Sequence, residues 1–398
     1  MLLADPEPRT RHYPVISVDD HLIEPPDLFE GRMPARLSER APRVVEVSPT
    51  GGQGWLFEGD LYPNIGLNAV VGRPRHEWSL EPTRYDEMRA GCWDIGARIA
   101  DMDAAGIWAS LCFPSVIAGF AGTVFSRSKD PELGLACVRA WNRWHHEVWA
   151  AARPERIIPL QITWLLDPAV AASEVRHNAE LGFRALSFPE DPANLGLPSM
   201  HTEHWDPLLA ACEETDTVVC LHTGSAGWPG GQPRDVPVEE LTTLFPVHGV
   251  TATAEWLWAR IPLRFPRLDI ALSEGGIGWV PMLLDRLDYV ATHSAGGAAG
   301  VWDGDLTPSE AVKRNFWFCS IDDPTTLRVR DRIGVDHIMV ETDYPHADSS
   351  WPDTQELLAA RLGALPRPEI DAITHENAAR LFRHPLPPPD WQERAPGA

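Results

Sequence analysis

The chain has no apolar run approaching the roughly 20 residues that a membrane-spanning helix needs. Its first residues, Met1-Leu2-Leu3-Ala4-Asp5, lack the basic start and long apolar centre of a secretory signal. Cationic residues are few: 34 Lys and Arg stand against 57 Asp and Glu, a formal net charge of −23. That balance argues against a nucleic-acid backbone or an anionic membrane surface as partner, because both would repel it. The six cysteines (92, 112, 137, 212, 220 and 319) are scattered, with no C-x-x-C pair. Three of them, Cys112, Cys220 and Cys319, fall inside expected strands, where a free thiol behaves as a small buried hydrophobe. A reduced, cytoplasmic protein binding a small molecule is the expectation. Tryptophan, by contrast, is plentiful at 17 residues. Most of these are expected in the core, and some around a binding cavity.

At 398 residues the chain is long enough for one barrel or two smaller domains. Val15-Ile16-Ser17-Val18, after Pro14, is a short apolar run that predicts a buried strand. A polar stretch of about 27–90 follows. It contains Gly51, Gly52 and Gly54 before Trp55-Leu56-Phe57, a hairpin pattern, and is read as an insertion covering the site. From there apolar strands and helical patterns alternate. Strands are expected at 109–114, 157–164, 185–189, 218–224, 268–276, 316–321 and 338–345. Helices are expected at 94–105, 131–153, 168–181, 205–215, about 251–260, 281–293, from Pro324, and at 352–362 and 368–382. Near-continuous apolar strands are buried on both faces, as in a parallel sheet. Eight of them favour an α/β fold of the (β/α)₈ TIM-barrel type, in one domain spanning 1–398 with an irregular tail at 385–398.

In such a barrel the chemistry sits at the C-terminal ends of the strands. The first strand ends in Asp19-Asp20-His21, and period-two alternation puts Asp19 and His21 on one face with Asp20 on the other. The fifth ends in His222, the sixth in Glu274 and the eighth in Glu341 and Asp343. The fourth is followed by His201 and His204. Singly, each of these has a structural explanation, such as a turn or a helix cap. Together they put carboxylates and imidazoles, the donors of a divalent-metal site, on one rim.

These residues also carry a resemblance. From VDDHLIEP through HTG, SEGG and ETDYPH to ITHENAARLF, the chain resembles the amidohydrolase superfamily. The branch it resembles is amidohydrolase family 2, the aminocarboxymuconate semialdehyde decarboxylase-like proteins. The resemblance implies a (β/α)₈ barrel holding one divalent metal, usually zinc and sometimes manganese, and a homodimer. It implies Asp19, His21, His222 and Asp343 as the metal ligands. Two positions depart from the family pattern. Asp19 replaces the usual His or Glu, and Glu274 replaces the acid/base His before Gly-Gly at the sixth strand. A carboxylate at 274 can still take a proton from activated water.

The leading expectation is therefore a hydrolase of a small cyclic or aromatic carbonyl compound, with Asp343 or Glu274 as general base. The alternative is a non-oxidative decarboxylase of an aromatic or enoic acid, and the third is a metal-free ligand-binding barrel. No lysine ends the fourth strand, which argues against a bridged two-metal centre. Glu341 is a candidate orienter and His201 a candidate substrate contact. Arg73 or Arg75 of the insertion is a candidate clamp for a substrate carboxylate. His346 either lines the site or starts a helix.

Overall fold

The computed structural model describes residues 2–47, 51–78, 82–229, 236–293, 302 and 304–393. The expected apolar runs become the strands of one parallel sheet. They are β1 (Ile16–His21), β5 (Ala109–Phe113), β6 (Ile157–Ile158), β7 (Leu160–Ile162), β8 (Ala185–Phe188), β9 (Val218–His222), β10 (Ile270–Ser273), β11 (Phe316–Ser320) and β12 (Ile338–Val340). Their order is β6-β5-β1-β12-β11-β10-β9-β8-β7. The two ends of that order are consecutive in the chain. Pro159, which has no N–H to give to a ladder, splits one run into β6, paired with β5, and β7, paired with β8. The nine strands are thus eight barrel positions, and the sheet returns to its own starting strand. Every residue of β1 is buried, Asp19, Asp20 and His21 included.

Between strands the chain forms helices whose starts are written in the sequence. Asp94, Asp130 and Asp167 each accept a hydrogen bond from a first-turn N–H, at 2.8 to 3.1 Å. Proline follows Asp130 and Asp167 at the first helical position, where its missing N–H costs nothing. Four expectations need correction, one of them the helix expected over 368–382, which a π-turn over Ala372–Glu376 interrupts. The helix expected over 131–153 is α-helical only at Pro131–Trp144 and continues as a π-turn over His145–Ala150. The helix expected near 251–260 starts earlier and spans Phe245–Trp258. No long helix follows Pro324; single turns at Thr326–Val329 and Arg330–Ile333 take its place.

The insertion holds an antiparallel sheet of β2 (Arg43–Val47), β3 (Gly52–Phe57) and β4 (Asp60–Tyr62), the hairpin that the glycines announced. Its later part reaches the rim, where the N–H groups of Val70 and Val71 donate to the Pro345 carbonyl at 3.0 and 3.2 Å. Within the tail, residues 385–393 carry no helix or strand. Trp391 is nonetheless buried against Trp108, with Arg11 over its ring; the tail's last residues, 394–398, lie outside the described set. Among the described residues no helix is long and apolar enough to cross a membrane, and all six cysteines are free and buried.

Candidate metal centre

The alternation along β1 sends Asp19 and His21 one way and Asp20 the other. Asp20 accepts the Tyr344 N–H at 3.0 Å and the hydroxyls of Ser110 and Thr342. The Arg98 guanidinium lies beneath, donating to the Gly91 carbonyl at 2.7 Å and to the His21 carbonyl. Burial raises the pKa of Asp20, and Arg98 with these hydrogen bonds opposes the rise. Asp20 and Arg98 thus form a floor that holds the backbone of His21 and Tyr344 in place.

On the other face His222 closes β9. Its Nδ1 donates to the Thr223 carbonyl at 2.8 Å, which leaves the Nε2 lone pair turned into the cluster. That Nε2 lies 3.0 Å from His21 Nε2, 3.6 Å from Asp19 Oδ2 and 3.3 Å from Glu274 Oε2. His21 Nε2 is 3.6 Å from Asp19 Oδ1 and 3.4 Å from Asp343 Oδ1. Asp343 itself donates its backbone N–H to the Asp19 carbonyl at 2.9 Å, which ties the first and last barrel strands together at the centre.

These spacings test whether a metal fits. Bonds of about 2.0–2.1 Å at angles between octahedral and tetrahedral put neighbouring ligand atoms about 3.0–3.4 Å apart. Among Asp19, His21 and His222, and between His21 and Asp343, the observed separations of 3.0–3.6 Å are close to that edge length, and Asp343 groups with His21 and His346. Both oxygens of Asp19 are fully buried without a hydrogen-bond partner, and Asp343, equally buried, meets the His346 imidazole at 2.9 Å; two such buried carboxylates are a costly state unless a cation faces them. Two carboxylates and two neutral imidazoles also balance a charge of 2+. Burial, reinforced by mutual repulsion, pushes the pKa of Asp19, Glu274 and Asp343 well up. Burial also lowers His21 well below the usual histidine range and His222 to about 3, so both rings stand in the neutral form that binds metal.

Glu274 and Glu341 form the next layer. Glu341 Oε2 accepts the backbone N–H of Glu274 at 3.0 Å, and burial pushes its carboxyl up to about 8. Glu274 and Asp343 both hold positive φ, +60° and +47°. Non-glycine residues adopt that region at a cost of about 1–3 kcal/mol and tend to do so at sites that need a side chain aimed. Phe120 stacks on His222 at 4.5 Å and meets His21 edge-on at 5.6 Å, walling the imidazoles on their apolar side.

The remaining candidates divide. His346, which the sequence left between two roles, is in the cluster, its ring 4.0 Å from His21 and its Nδ1 2.9 Å from Asp343 Oδ1. His201 is not brought in; its side chain is 51 % exposed and pairs with Glu255 at 3.1 Å. His204 packs edge-on against Trp205. Arg73 is nearly buried, and its Nε and Nη1 have no hydrogen-bond partner. It lines a cavity of about 480 Å³ together with Trp78, Ile321, Asp348 and Trp351. Arg75 edges the same cavity but is exposed and lies over Trp78. Asp348, which groups with Glu274 and Asp343, joins that cavity to the metal-ligand cluster.

Sequence reasoning passed over Asp348, Glu190 and His248. Glu190 stands two residues beyond the end of β8, so a strand-end search extended past Pro189 finds it. Nothing in the sequence pairs it with His248.

The family model described as Amidohydrolase matches residues 26–384. The match starts just after β1, so the placement of Asp19 and His21 rests on the geometry above. Among solved structures, an amidohydrolase from Mycobacterium avium subsp. paratuberculosis K-10 is similar at 22 % identity, with a TM-score of 0.71 over 93 % of this chain and 99 % of that one. A 5-carboxyvanillate decarboxylase from Novosphingobium aromaticivorans, bound to manganese and 4-hydroxy-3-methoxy-5-nitrobenzoic acid, is similar at 20 % identity. Its TM-score is 0.64, over 95 % of this chain and 99 % of that one. A dihydroxybenzoic acid decarboxylase from Polaromonas sp. JS666, with manganese and 2-nitroresorcinol, gives 16 % identity and a TM-score of 0.64 over 93 % and 97 %. These likenesses show a shared fold. A family match over so much of the sequence makes the chain a member of the amidohydrolase family and, with it, a metal-dependent enzyme.

Proposed function

We propose that the protein is a metal-dependent, non-oxidative carboxy-lyase acting on an aromatic or enoic acid. One observation carries the metal dependence: two neutral imidazole nitrogens 3.0 Å apart, flanked by the fully buried carboxylates of Asp19 and Asp343. Two of the structural neighbours described above are manganese-bound decarboxylases of hydroxylated aromatic acids, and they support lysis over the hydrolysis that the sequence favoured. The donor set of two imidazoles and two hard carboxylates suits Mn²⁺ as well as Zn²⁺.

Asp19, His21, His222 and Asp343 would hold the cation. When bound, it supplies Lewis acidity toward a carboxylate or phenolate oxygen of the substrate. The chain's own groups do the rest. Arg73 offers two buried, unpaired N–H groups to an anion in the cavity it lines. Phe113 and Phe120 pack on His222 and keep water from that side of the ligand cluster. Glu341 fixes Glu274 through its backbone N–H. Glu274, its pKa raised by burial, stands with Oε2 3.3 Å from His222 Nε2 beside the ligands.

Hydrolysis stays as the second reading, because a carboxylate at 274 can also accept a proton from water. The test is elemental analysis of wild type beside His222→Ala. It is followed by incubation of the manganese-loaded protein with hydroxylated benzoic acids, with CO₂ and product mass recorded. One metal per chain, lost in the variant, and release of CO₂ are expected. Net addition of water without CO₂ would turn the assignment to hydrolysis. A wild type that stays metal-free after incubation with both Mn²⁺ and Zn²⁺ would end it.

A further inference from the structure

Beside the ligand cluster lies a second carboxylate–imidazole pair. Glu190, just past β8, is clamped on several sides. Its N–H donates to Ser225 Oγ at 3.1 Å, and its carbonyl accepts the Trp256 indole N–H at 2.8 Å. The backbone N–H groups of Ala226 and Gly224 face its carboxylate. Oε1 lies 3.4 Å from His248 Nδ1, and the two side chains are only 6 % and 1 % exposed. His248 stands in the first turn of the helix Phe245–Trp258. The next residue, Gly249, lies against the loop that carries Glu274. Its Cα is 3.9 Å from the Cβ position of Gly275, and a side chain on Gly249 would strike Trp279. His248 therefore stands between the loop after His222 and the loop after Glu274.

The pair is satisfied at one end only. Glu190 takes Nδ1, which leaves Nε2 buried without a hydrogen-bond partner while Trp228 packs edge-on at 4.6 Å. The helical turn that carries His248 touches the loop after Glu274 through Gly249, and Glu190 is hydrogen-bonded to Ser225, three residues beyond His222. A carboxylate holding Nδ1 while Nε2 meets the reacting group is the arrangement by which an imidazole is oriented for proton transfer.

We propose that His248 is a proton-transfer residue of this site, oriented by Glu190, with Nε2 meeting the substrate. The direction of transfer rests on the carboxy-lyase reading. Nε2, which carries a lone pair in the resting ring, takes a proton from solvent; from the charged ring that Glu190 balances, this proton goes to the carbon that bears the carboxylate. The electron pair of the breaking C–C bond stays on the substrate as CO₂ leaves, and Nε2 recovers a proton from water. A carboxylate plus one proton thus gives the decarboxylated product and CO₂, without oxidant or reductant. This gives the site an imidazole, from the helix after β9, although Glu274 occupies the end of β10.

The experiment uses the full-length, metal-loaded protein with His248→Gln, His248→Asn and Glu190→Gln. Asparagine keeps an amide near Nδ1 for Glu190 and removes Nε2. The histidine variants are expected to keep their metal and a KM within about threefold, while kcat falls about 10²–10⁴-fold. Exchange of the product's C–H in D₂O should fall in parallel. Glu190→Gln should lose less, about tenfold. A second readout needs no turnover. In ¹⁵N-histidine-labelled, zinc-loaded protein, His248 Nδ1 should carry the proton, and Nε2 should shift when 2-nitroresorcinol is added. A kcat within threefold of wild type in both histidine variants, or an Nε2 silent to the probe, overturns the proposal. A wild type that releases no CO₂ while Nε2 responds refutes the carboxy-lyase reading and leaves the histidine's placement standing.

Discussion

Removing the cation should cost the fold more at pH 8 than at pH 6. Asp19, Glu274, Glu341 and Asp343 are buried together, and burial raises each of them. In the unfolded chain such groups release their protons near pH 4. In the metal-free fold they keep them until higher pH, up to about 8 for Glu341. The folded state thus binds more protons than the unfolded one across this window. The stability that these groups contribute is full below about pH 4 and is lost as pH rises toward 8. A divalent cation takes the place of the protons and removes that loss. With metal at about 1,000 times its Kd at pH 8, the gain is about 4 kcal/mol. An unfolding entropy of about 2.1 cal/mol/K per residue gives 398 residues about 0.8 kcal/mol/K, so Tm rises by about 5 °C. If binding displaces one proton, the same metal concentration at pH 6 is about 100-fold weaker in effect. The gain then shrinks to about 2 °C. The imidazoles do not compete, because burial keeps His21 and His222 neutral throughout. The assay is calorimetry of chelator-stripped protein with and without Mn²⁺ at fixed concentration, at both pH values. A gain that is equal at the two pH values, or larger at pH 6, would refute the claim that the cation replaces protons on buried carboxylates.

Other outcomes follow from single contacts. Asp20→Ala strands the buried Tyr344 N–H that Asp20 accepts, a loss of about 1–3 kcal/mol that calorimetry should read as a Tm lower by about 1–4 °C; an unchanged Tm would contradict it. Glu341→Ala strands the Glu274 N–H at about 1–3 kcal/mol and should lower kcat with metal content intact, whereas Glu341→Gln retains an acceptor and much of the activity. Arg73→Ala should raise KM for a carboxylate substrate about tenfold with little change in kcat. His201→Ala should change stability by less than about 0.5 kcal/mol and leave kcat/KM as it was. A tenfold loss there would return His201 to substrate binding.

The barrel was legible because parallel strands buried on both faces write themselves as apolar runs, and each run here became a strand or part of one. Strand alternation then separated Asp19 and His21 from Asp20 without any knowledge of the fold. The same period carries no information about what a loop does after the strand ends. His201 follows the fourth strand as plainly as His222 ends the fifth, yet it turns outward to Glu255. Nor does it tell whether Pro159 ends a strand or merely interrupts one; only pairing to β5 on one side and β8 on the other decides that. The start of the helix at Phe245 was hidden for a related reason. Gly249 and Thr251 weaken helix propensity locally, but the packing of Gly249 under Trp279 requires a residue with no side chain. Tertiary contact therefore overrode propensity at the very turn that carries His248. What a sequence shows well is chemistry held within one element, where a fixed period sets direction. Glu190 and His248 are 58 positions apart and meet only because the loop after β8 packs on the helix Phe245–Trp258, so their pairing exists in the packing and in no local pattern.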